Sequence, residues 1–338
     1  MTEQLPFDYD LIQSNWKISP VPVFERLGGR LADVFAFTDR DTGRKLALRV
    51  CPEQRVDRKT IRNVYQFLRR IDSELIESGS NVRVLSPIST RTEDAFVKLE
   101  SPSRIAELYP FISGCHPRVG DVDDLKVVAR ALATFHATGL KQTFLALLPD
   151  AESVSHNHAG LGNVERQAIE ALETANRMGL RKPFARYYDY LEQTLKELEQ
   201  LLPYIAVTCL HLDTGPANII IRDDGETWFI DCGHTVRGRR TFEVFVTMYY
   251  FDRCASASVG DSLRYKRIDS TTWQTFRDEY ARHAVPRWCD TDEHALELEY
   301  RLLIIQGMCY TITTKDRETA RIELESYKPL WDRLIRKV

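Results

Sequence analysis

Three oxygen-bearing side chains in the stretch 205–234 are spaced so that they could bind a hard cation and a hydroxyl group. Asp213 follows an apolar run, Asn218 lies five residues further on, and Asp231 ends another short apolar run. The segment from Asn218 to Asp231 predicts a hairpin with strands Asn218 to Arg222 and Thr227 to Asp231, joined by Asp223-Asp224-Gly225-Glu226. Asp-Gly between apolar strands is a strong hairpin signal.

The register of this hairpin predicts how its polar ends meet. A turn centred between Asp224 and Gly225 predicts that Asn218 lies directly opposite Asp231. Such cross-strand partners have Cβ atoms roughly 4.5–5.5 Å apart and point to the same face of the sheet. Because Mg²⁺ prefers oxygen ligands, the amide oxygen and the carboxylate are candidate magnesium ligands. Asp213, in the loop leading to the same end, is a candidate to accept a hydrogen bond from a hydroxyl group and orient it.

Phosphoryl transfer suits this set of groups, because it mainly requires positioning and neutralisation of charge. One carboxylate that can orient a hydroxyl and two metal ligands, held by a rigid turn, meet that need. The alternative interpretation of Asp213 is a plain turn or cap residue.

The elements that must position these residues change character along the chain. Five short apolar runs predict strands in the first hundred residues, at Val21–Glu25, Asp33–Thr38, Lys45–Val50, Val82–Ile88 and Ala95–Glu100, with one helix at about Lys59–Ser78. From Val122 onward, apolar residues recur at helical spacing, and the first of these helices is predicted to end at Gly139. We expect an α+β protein with a small mixed β N-lobe, residues 1–108, and a larger mainly helical C-lobe, residues 109–338. The apolar stretch Ile105–Gly114 is a candidate hinge.

The residues around the hairpin resemble a known family. His211 and Asp213, followed by Asn218 and by Phe229-Ile230-Asp231, resemble the catalytic signature of aminoglycoside phosphotransferases and choline-kinase-like enzymes. These enzymes share the two-lobed protein-kinase architecture. The resemblance implies Mg²⁺-dependent transfer of the γ-phosphoryl group of ATP or GTP to a hydroxyl of a small molecule. The acceptor stays open among an antibiotic, a sugar, an amino alcohol and a biosynthetic intermediate, and so does the choice between ATP and GTP. The resemblance extends over roughly residues 21–251 through five further stretches, which are Arg26–Phe35, Leu46–Val50, Phe111–Gly114, Ala133–His136 and Gly238–Thr247.

This resemblance implies a role for each matching residue. Asp213 would be the catalytic aspartate, and Asn218 and Asp231 would bind Mg²⁺. The nucleoside triphosphate would be held by the residues that match the phosphate-covering loop, the third strand and the hinge, which are Gly28, Gly29, Arg49, Tyr109 and Phe111. The N-lobe, 1–108, would then be the nucleotide-binding lobe, and 109–338 would carry the catalytic loop and the acceptor site. For the glycine pair alone, a plain hairpin turn is an equal explanation.

Two departures from the family pattern bear on activity. Arg49 stands where the family's lysine is usual, and arginine keeps the charge but not the geometry. No glutamate lies between Glu53 and Glu74, where a helix would offer Arg49 an ion-pair partner, so Asp57 or Asp72 substitutes or the pair is absent. These departures support one alternative function, that of a catalytically inactive kinase-fold protein with a nucleotide-binding or regulatory role.

Composition narrows the classes of binding partner and the cellular compartment that we expect. A net charge of −3 gives no basic excess for nucleic acid or an anionic membrane. The seven cysteines are scattered without a Cys-x-x-Cys pair, and the first 20 residues lack an apolar signal segment, so a cytoplasmic protein is expected. The sequence does not indicate an oligomeric state. We expect no catalytic role for His211, which should brace the backbone of its loop, or for His136, which should be a packed helix residue. We also expect an exposed loop at His156 and His158, and a solvated helix face for the acids at 290–299.

Overall fold

A computed structural model describes residues 9–19, 24–28, 32–52, 58–99, 104–153, 160–255 and 271–325. The chain divides into two compact units. The first comprises Met1–His116, Ala146–Leu148 and Ile220–His234, and the second comprises Pro117–Leu145, Pro149–Ile219 and Thr235–Val338. The hairpin segment 220–234 therefore belongs to the same unit as the amino-terminal strands.

The first unit is built on a five-stranded antiparallel sheet. Its strands are β1 (Glu25–Gly28), β2 (Asp33–Thr38), β3 (Lys45–Pro52), β5 (Val97–Leu99) and β6 (Arg104–Pro110), in the spatial order β1-β2-β3-β6-β5. Along β3 the residues Leu46, Leu48 and Val50 are buried, which is the alternation expected of a strand with one face in a core. The core is completed by Ile12 and Trp16 of α1 (Tyr9–Trp16).

A second, three-stranded sheet joins the strands of the hairpin to β4. Here β4 (Val82–Val84) pairs in parallel with β9 (Thr227–Phe229), and β9 lies beside β8 (Ile219–Ile221). The long helix α2 (Arg58–Glu77) precedes β4 along the chain. The parallel pairing with β4 fixes the chain just ahead of Asp231.

The second unit is mainly helical. Its helices are α3 (Val122–Gly139), α4 (Gln142–Leu145), α5 (Leu161–Arg177), α6 (Arg181–Leu201), α7 (Arg240–Ala255), α8 (Thr271–His283) and α9 (Asp290–Thr314). Apolar faces of α5, α6 and α9 form the main core of this unit. A two-stranded antiparallel ribbon of β7 (Val207–Leu210) and β10 (Val236–Arg239) supports the loop at 211–218.

The predicted fold class, a small mixed β part followed by a larger helical part, is confirmed. The strand Asp33–Thr38 and the helix that ends at Gly139 lie where the pattern predicts them. The candidate hinge differs, because residues 104–110 form β6 and only the residues after Pro110 leave the sheet. Within the part of the chain that the structure describes, no helix is long and apolar enough to span a bilayer.

Candidate active site

Arg49 is held by an acidic residue directly across the sheet. The antiparallel register of β3 and β6 places Arg49 opposite Glu107. The Nη1 atom of Arg49 donates to Oε2 of Glu107 at 2.9 Å, and the Glu107 side chain is only 1% exposed. A buried carboxylate requires a partner of this kind, since an unpaired charge in the interior costs several kcal/mol.

Two tyrosines complete the surroundings of Glu107. The hydroxyl of Tyr65, on α2, donates to Oε1 of Glu107, and the hydroxyl of Tyr109 donates to Oε2 at 3.1 Å. Burial, reinforced by the neighbouring negative charge, raises the pKa of both tyrosines well above its ordinary value, so both remain protonated donors. Glu107 thus accepts hydrogen bonds from Arg49 and from both phenols.

Asp231 is the second partner of Arg49. It follows β9 in a left-handed backbone conformation with φ of 56°, and its Oδ1 lies 3.4 Å from Nη2 of Arg49. The Asp231 side chain is 41% exposed, in contrast to buried Glu107. Burial alone would lower the pKa of Arg49, but the charges of Glu107 and Asp231 outweigh it and raise that pKa above its ordinary value. Arg49 is therefore a fixed cation.

The ion-pair partner of Arg49 is not on α2, the helix on which the family resemblance predicts it. Asp72 instead accepts two hydrogen bonds from Arg83, at 2.9 and 2.8 Å, and a third from the Val84 N–H. Asp57 lies outside the described residues. Strand β6 supplies the carboxylate as Glu107, and α2 contributes the hydroxyl of Tyr65.

The remaining predicted nucleotide-binding residues lie at ends of strands. Gly28 ends β1 with φ of 108°, a conformation that suits glycine, whereas Gly29 is outside the described residues. Tyr109 directs its hydroxyl to Glu107. Phe111 donates its N–H to the Lys45 carbonyl at 3.1 Å, and its ring lies 4.0 Å below the Lys45 ammonium. The Phe111 N–H is therefore used within the chain.

In the second unit, a buried glutamate holds the loop that contains Asp213. Glu243, on α7, is fully buried and accepts the N–H of His211 at 2.9 Å and the N–H of Leu212 at 2.6 Å. Leu212 itself has a positive φ of 69°. Such a backbone conformation persists only when its surroundings enforce it, and the two charge-assisted hydrogen bonds do so here.

His136 and Tyr280 extend this buried network. Nε2 of His136 lies 2.9 Å from Glu243, and Nδ1 lies 2.7 Å from the hydroxyl of Tyr280. Burial raises the pKa of Tyr280, which keeps the hydroxyl protonated. His136 is a packed helix residue, as predicted, and it links α3 and α8 to the glutamate that supports the loop.

Asp213 and Asn218 contact each other directly. The Nδ2 of Asn218 donates to Oδ2 of Asp213 at 2.7 Å and to its carbonyl at 2.9 Å. With its nitrogen so used, Asn218 presents Oδ1 as its remaining polar atom, and an amide oxygen is a donor that Mg²⁺ accepts. The N–H of Asp213 donates to Nδ1 of His211 at 3.2 Å, so His211 braces the loop, as expected.

The predicted register of the hairpin is wrong by one residue. Arg222 donates its N–H to the Glu226 carbonyl at 2.9 Å, and Gly225 donates to the Arg222 carbonyl at 3.0 Å. Gly225, with φ of 86°, adds a third residue to the loop, and the pairing starts at Arg222 and Glu226. The hairpin therefore does not place Asn218 opposite Asp231 by register.

Sequence reasoning missed Glu107, Tyr65 and Glu243. The signal for the two glutamates is an acid within an apolar stretch, Ile105 to Leu108 for one and Phe242 to Val246 for the other. Glutamate is almost never fully buried unless it is paired, so an acid in such a stretch predicts a buried ion pair or network. Two acids of α9 show the same effect, because Asp292 binds Arg240 and Glu299 binds Arg239 in the interior, contrary to the expected solvated face. Asp290 is exposed, as expected.

The fold, with a small β-rich part followed by a larger helical part, is kinase-like. A sequence model of the phosphotransferase enzyme family matches residues 24–278. The chain therefore belongs to the phosphotransferase enzyme family. A search of curated proteins finds no match.

Three solved structures illustrate the shared fold. An aminoglycoside phosphotransferase from Alicyclobacillus acidocaldarius has a TM-score of 0.63 and 13% identity, covering 98% of this chain and 94% of its own. A microcompartment-associated aminopropanol kinase has a TM-score of 0.63 and 15% identity, covering 94% of each chain. A spectinomycin phosphotransferase in complex with ADP and spectinomycin has a TM-score of 0.53 and 13% identity, covering 95% of this chain and 92% of its own. At these sequence identities, the three structures show a shared fold only. Membership of the family supports small-molecule phosphotransfer in general.

Proposed function

We propose that this protein transfers the γ-phosphoryl group of ATP or GTP to a hydroxyl group of a small molecule, with Mg²⁺ as the metal. The observation that carries the proposal is the Asp213 carboxylate, held by Asn218 in a loop that buried Glu243 pins through two backbone amides. A carboxylate fixed in this way can accept a hydrogen bond from an incoming hydroxyl and orient it for in-line attack.

The other predicted site residues bind the nucleotide and the metal. Arg49 neutralises charge on the nucleotide phosphates, and the loop at Gly28 and Gly29 covers them. The chain at Tyr109 and Phe111 borders the base. Asn218 and Asp231 supply an amide oxygen and a carboxylate, which are donors suited to Mg²⁺, and the bound ion would neutralise phosphate charge. We assign the cytoplasm as the compartment and a free small molecule as the acceptor.

The position of Glu107 weakens the case for an inactive nucleotide-binding protein. That alternative rests on the arginine at position 49 and on the lack of a glutamate partner for it on the helix. Glu107 provides the partner from β6 at 2.9 Å, and it is buried, so the pair is better shielded from water than a surface ion pair. We therefore retain the catalytic proposal alone.

The test is a screen for acceptor-dependent release of nucleoside diphosphate. Purified protein is incubated with Mg²⁺ and either ATP or GTP, together with panels of amino alcohols, aminoglycosides, spectinomycin-like antibiotics and sugars. We expect one panel to stimulate release, and mass spectrometry should show a phosphorylated acceptor. The same reactions with Asp213→Ala serve as the control. Release that is independent of every acceptor, or equal in Asp213→Ala, would contradict the proposal.

A further inference from the structure

Arg49 uses its two terminal nitrogens for two carboxylates in very different surroundings. Nη1 contacts Glu107 at 2.9 Å, and Glu107 is 1% exposed. Nη2 contacts Asp231 at 3.4 Å, and Asp231 is 41% exposed. One cation is therefore shared between an interior acid and an acid that solvent reaches.

The contact with Glu107 is the permanent one of the two. Breaking a buried ion pair leaves an uncompensated charge in the interior, which is strongly destabilising. Tyr65 and Tyr109 hold the same carboxylate, and they fix its orientation toward Arg49. Because β3 and β6 pair directly at these positions, the rigid register of the sheet sets the position of the guanidinium.

The contact with Asp231 is exchangeable. It is longer than a normal hydrogen bond and partly solvated, and ion pairs of this kind contribute little to stability. A phosphate oxygen competes well for the same nitrogen, since arginine binds phosphate through charge-assisted hydrogen bonds. Loss of the arginine contact also leaves the Asp231 carboxylate available to a cation.

We propose that Glu107 is a positioning residue that anchors Arg49 through Nη1, so that Nη2 passes from Asp231 to a phosphate oxygen when nucleotide binds. This inference rests on the proposed function, because it concerns the same nucleotide. It also explains why arginine replaces lysine. A guanidinium holds two acceptors at once through separate nitrogens, whereas a lysine ammonium is a single point charge that would have to leave one of them.

A purely structural role for Glu107 predicts a different result. If the pair only stabilises the sheet, then Glu107→Gln lowers the free energy of unfolding but leaves the nucleotide affinity of the folded protein unchanged. If Glu107 positions Arg49, then the neutral amide no longer orients the guanidinium, and nucleotide affinity falls. Nucleotide affinity in the absence of metal separates the two roles, because the metal ligands do not contribute to it.

The experiment is isothermal titration calorimetry of ADP in EDTA, on variants whose folding is checked by thermal unfolding. We expect Glu107→Gln and Arg49→Lys each to weaken ADP binding about tenfold, the loss of roughly one charge-assisted hydrogen bond. In the double variant the two effects should not add, because both act through the same contact. Asp72→Asn is the matched control, since it breaks the Arg83 pair in the same unit and should leave ADP affinity unchanged.

Each outcome decides the inference. Wild-type ADP affinity in folded Glu107→Gln would overturn it, and so would additive effects in the double variant. If Glu107→Gln does not fold, wild-type affinity in Arg49→Lys overturns it instead. A wild type that binds ADP through Arg49 and Glu107 but phosphorylates no acceptor would refute the proposed function while leaving this inference intact. A wild type that binds no ADP would overturn both.

Discussion

Replacing Glu243 by glutamine should displace the loop that carries Asp213. Both carboxylate oxygens of Glu243 accept backbone N–H groups, from His211 at 2.9 Å and from Leu212 at 2.6 Å. Glutamine has nearly the same shape but only one oxygen. Its amide nitrogen must face one of these two N–H groups, and that donor then loses its acceptor.

The magnitude follows from this geometry. One buried backbone N–H without an acceptor costs about 1–3 kcal/mol. The hydrogen bond that remains loses its charge, and charge-assisted bonds are about twice as strong as neutral ones. We expect the free energy of unfolding to fall by about 2–4 kcal/mol in total. Because a misplacement of about 1 Å in a catalytic group can cost ~100-fold in rate, we expect kcat to fall by 10- to 100-fold.

The assay combines urea unfolding with steady-state kinetics on the acceptor that the screen identifies. Glu279→Gln is the control, because Glu279 is also a buried acid of the second unit and is held by Arg130 at 2.8 Å. It should lose stability and keep its kcat. Nucleotide affinity should be unchanged in both variants, since Arg49 and Glu107 lie in the first unit. A Glu243→Gln variant that loses stability but keeps the wild-type kcat would refute the positioning role of Glu243.

Two further predictions concern the metal and pH. Asp231→Ala should abolish most of the increase in nucleotide affinity that Mg²⁺ produces, because a metal ligand is lost, and calorimetry with and without Mg²⁺ measures it; an undiminished increase would argue against Asp231 as a ligand. Hydrogen bonds, first from the hydroxyl of Thr42 and next from the N–H of Ser19, lower the pKa of Asp39 from 3.8 to about 2. Since the folded pKa is depressed, this stabilisation is complete above pH 3.8 and is lost as the pH falls toward 2. Acid unfolding of the wild type and Asp39→Asn should therefore differ at pH 5 and converge near pH 2, and a constant difference would contradict this cause.

Much of the fold follows from local pattern. Short apolar runs predict the strands β2 and β3, and the spacing of Leu125, Val128, Leu132 and Phe135 predicts α3, because apolar residues of an amphipathic helix recur every three to four positions. The hinge was harder to predict. Its apolar residues form β6, and an apolar run does not reveal by itself where a buried strand ends. The strand ends at Pro110, and Gly114 beyond it allows a close backbone approach, since a Cβ there would lie 2.7 Å from the Ile221 carbonyl oxygen.

The site was predictable only where its residues lie close together in sequence. Asp213 and Asn218 are five residues apart and contact each other. Glu107 is 58 residues from Arg49, and the two meet only because β3 and β6 are neighbours in the sheet. The order of strands is a tertiary property that the local pattern does not contain. The hairpin register failed for a smaller reason, because Gly225 adds one residue to the loop that the Asp-Gly signal alone does not specify.

The central claim is that the carboxylate of Asp213 orients the acceptor hydroxyl for phosphoryl transfer. The direct measurement is single-turnover transfer of radiolabelled phosphoryl from γ-labelled nucleotide to the acceptor, in the wild type and in Asp213→Asn, at saturating nucleotide. Asparagine keeps the size of the side chain but removes its charge, so we predict a rate at least ~100-fold lower with unchanged nucleotide affinity. Transfer at the wild-type rate in Asp213→Asn would contradict the account.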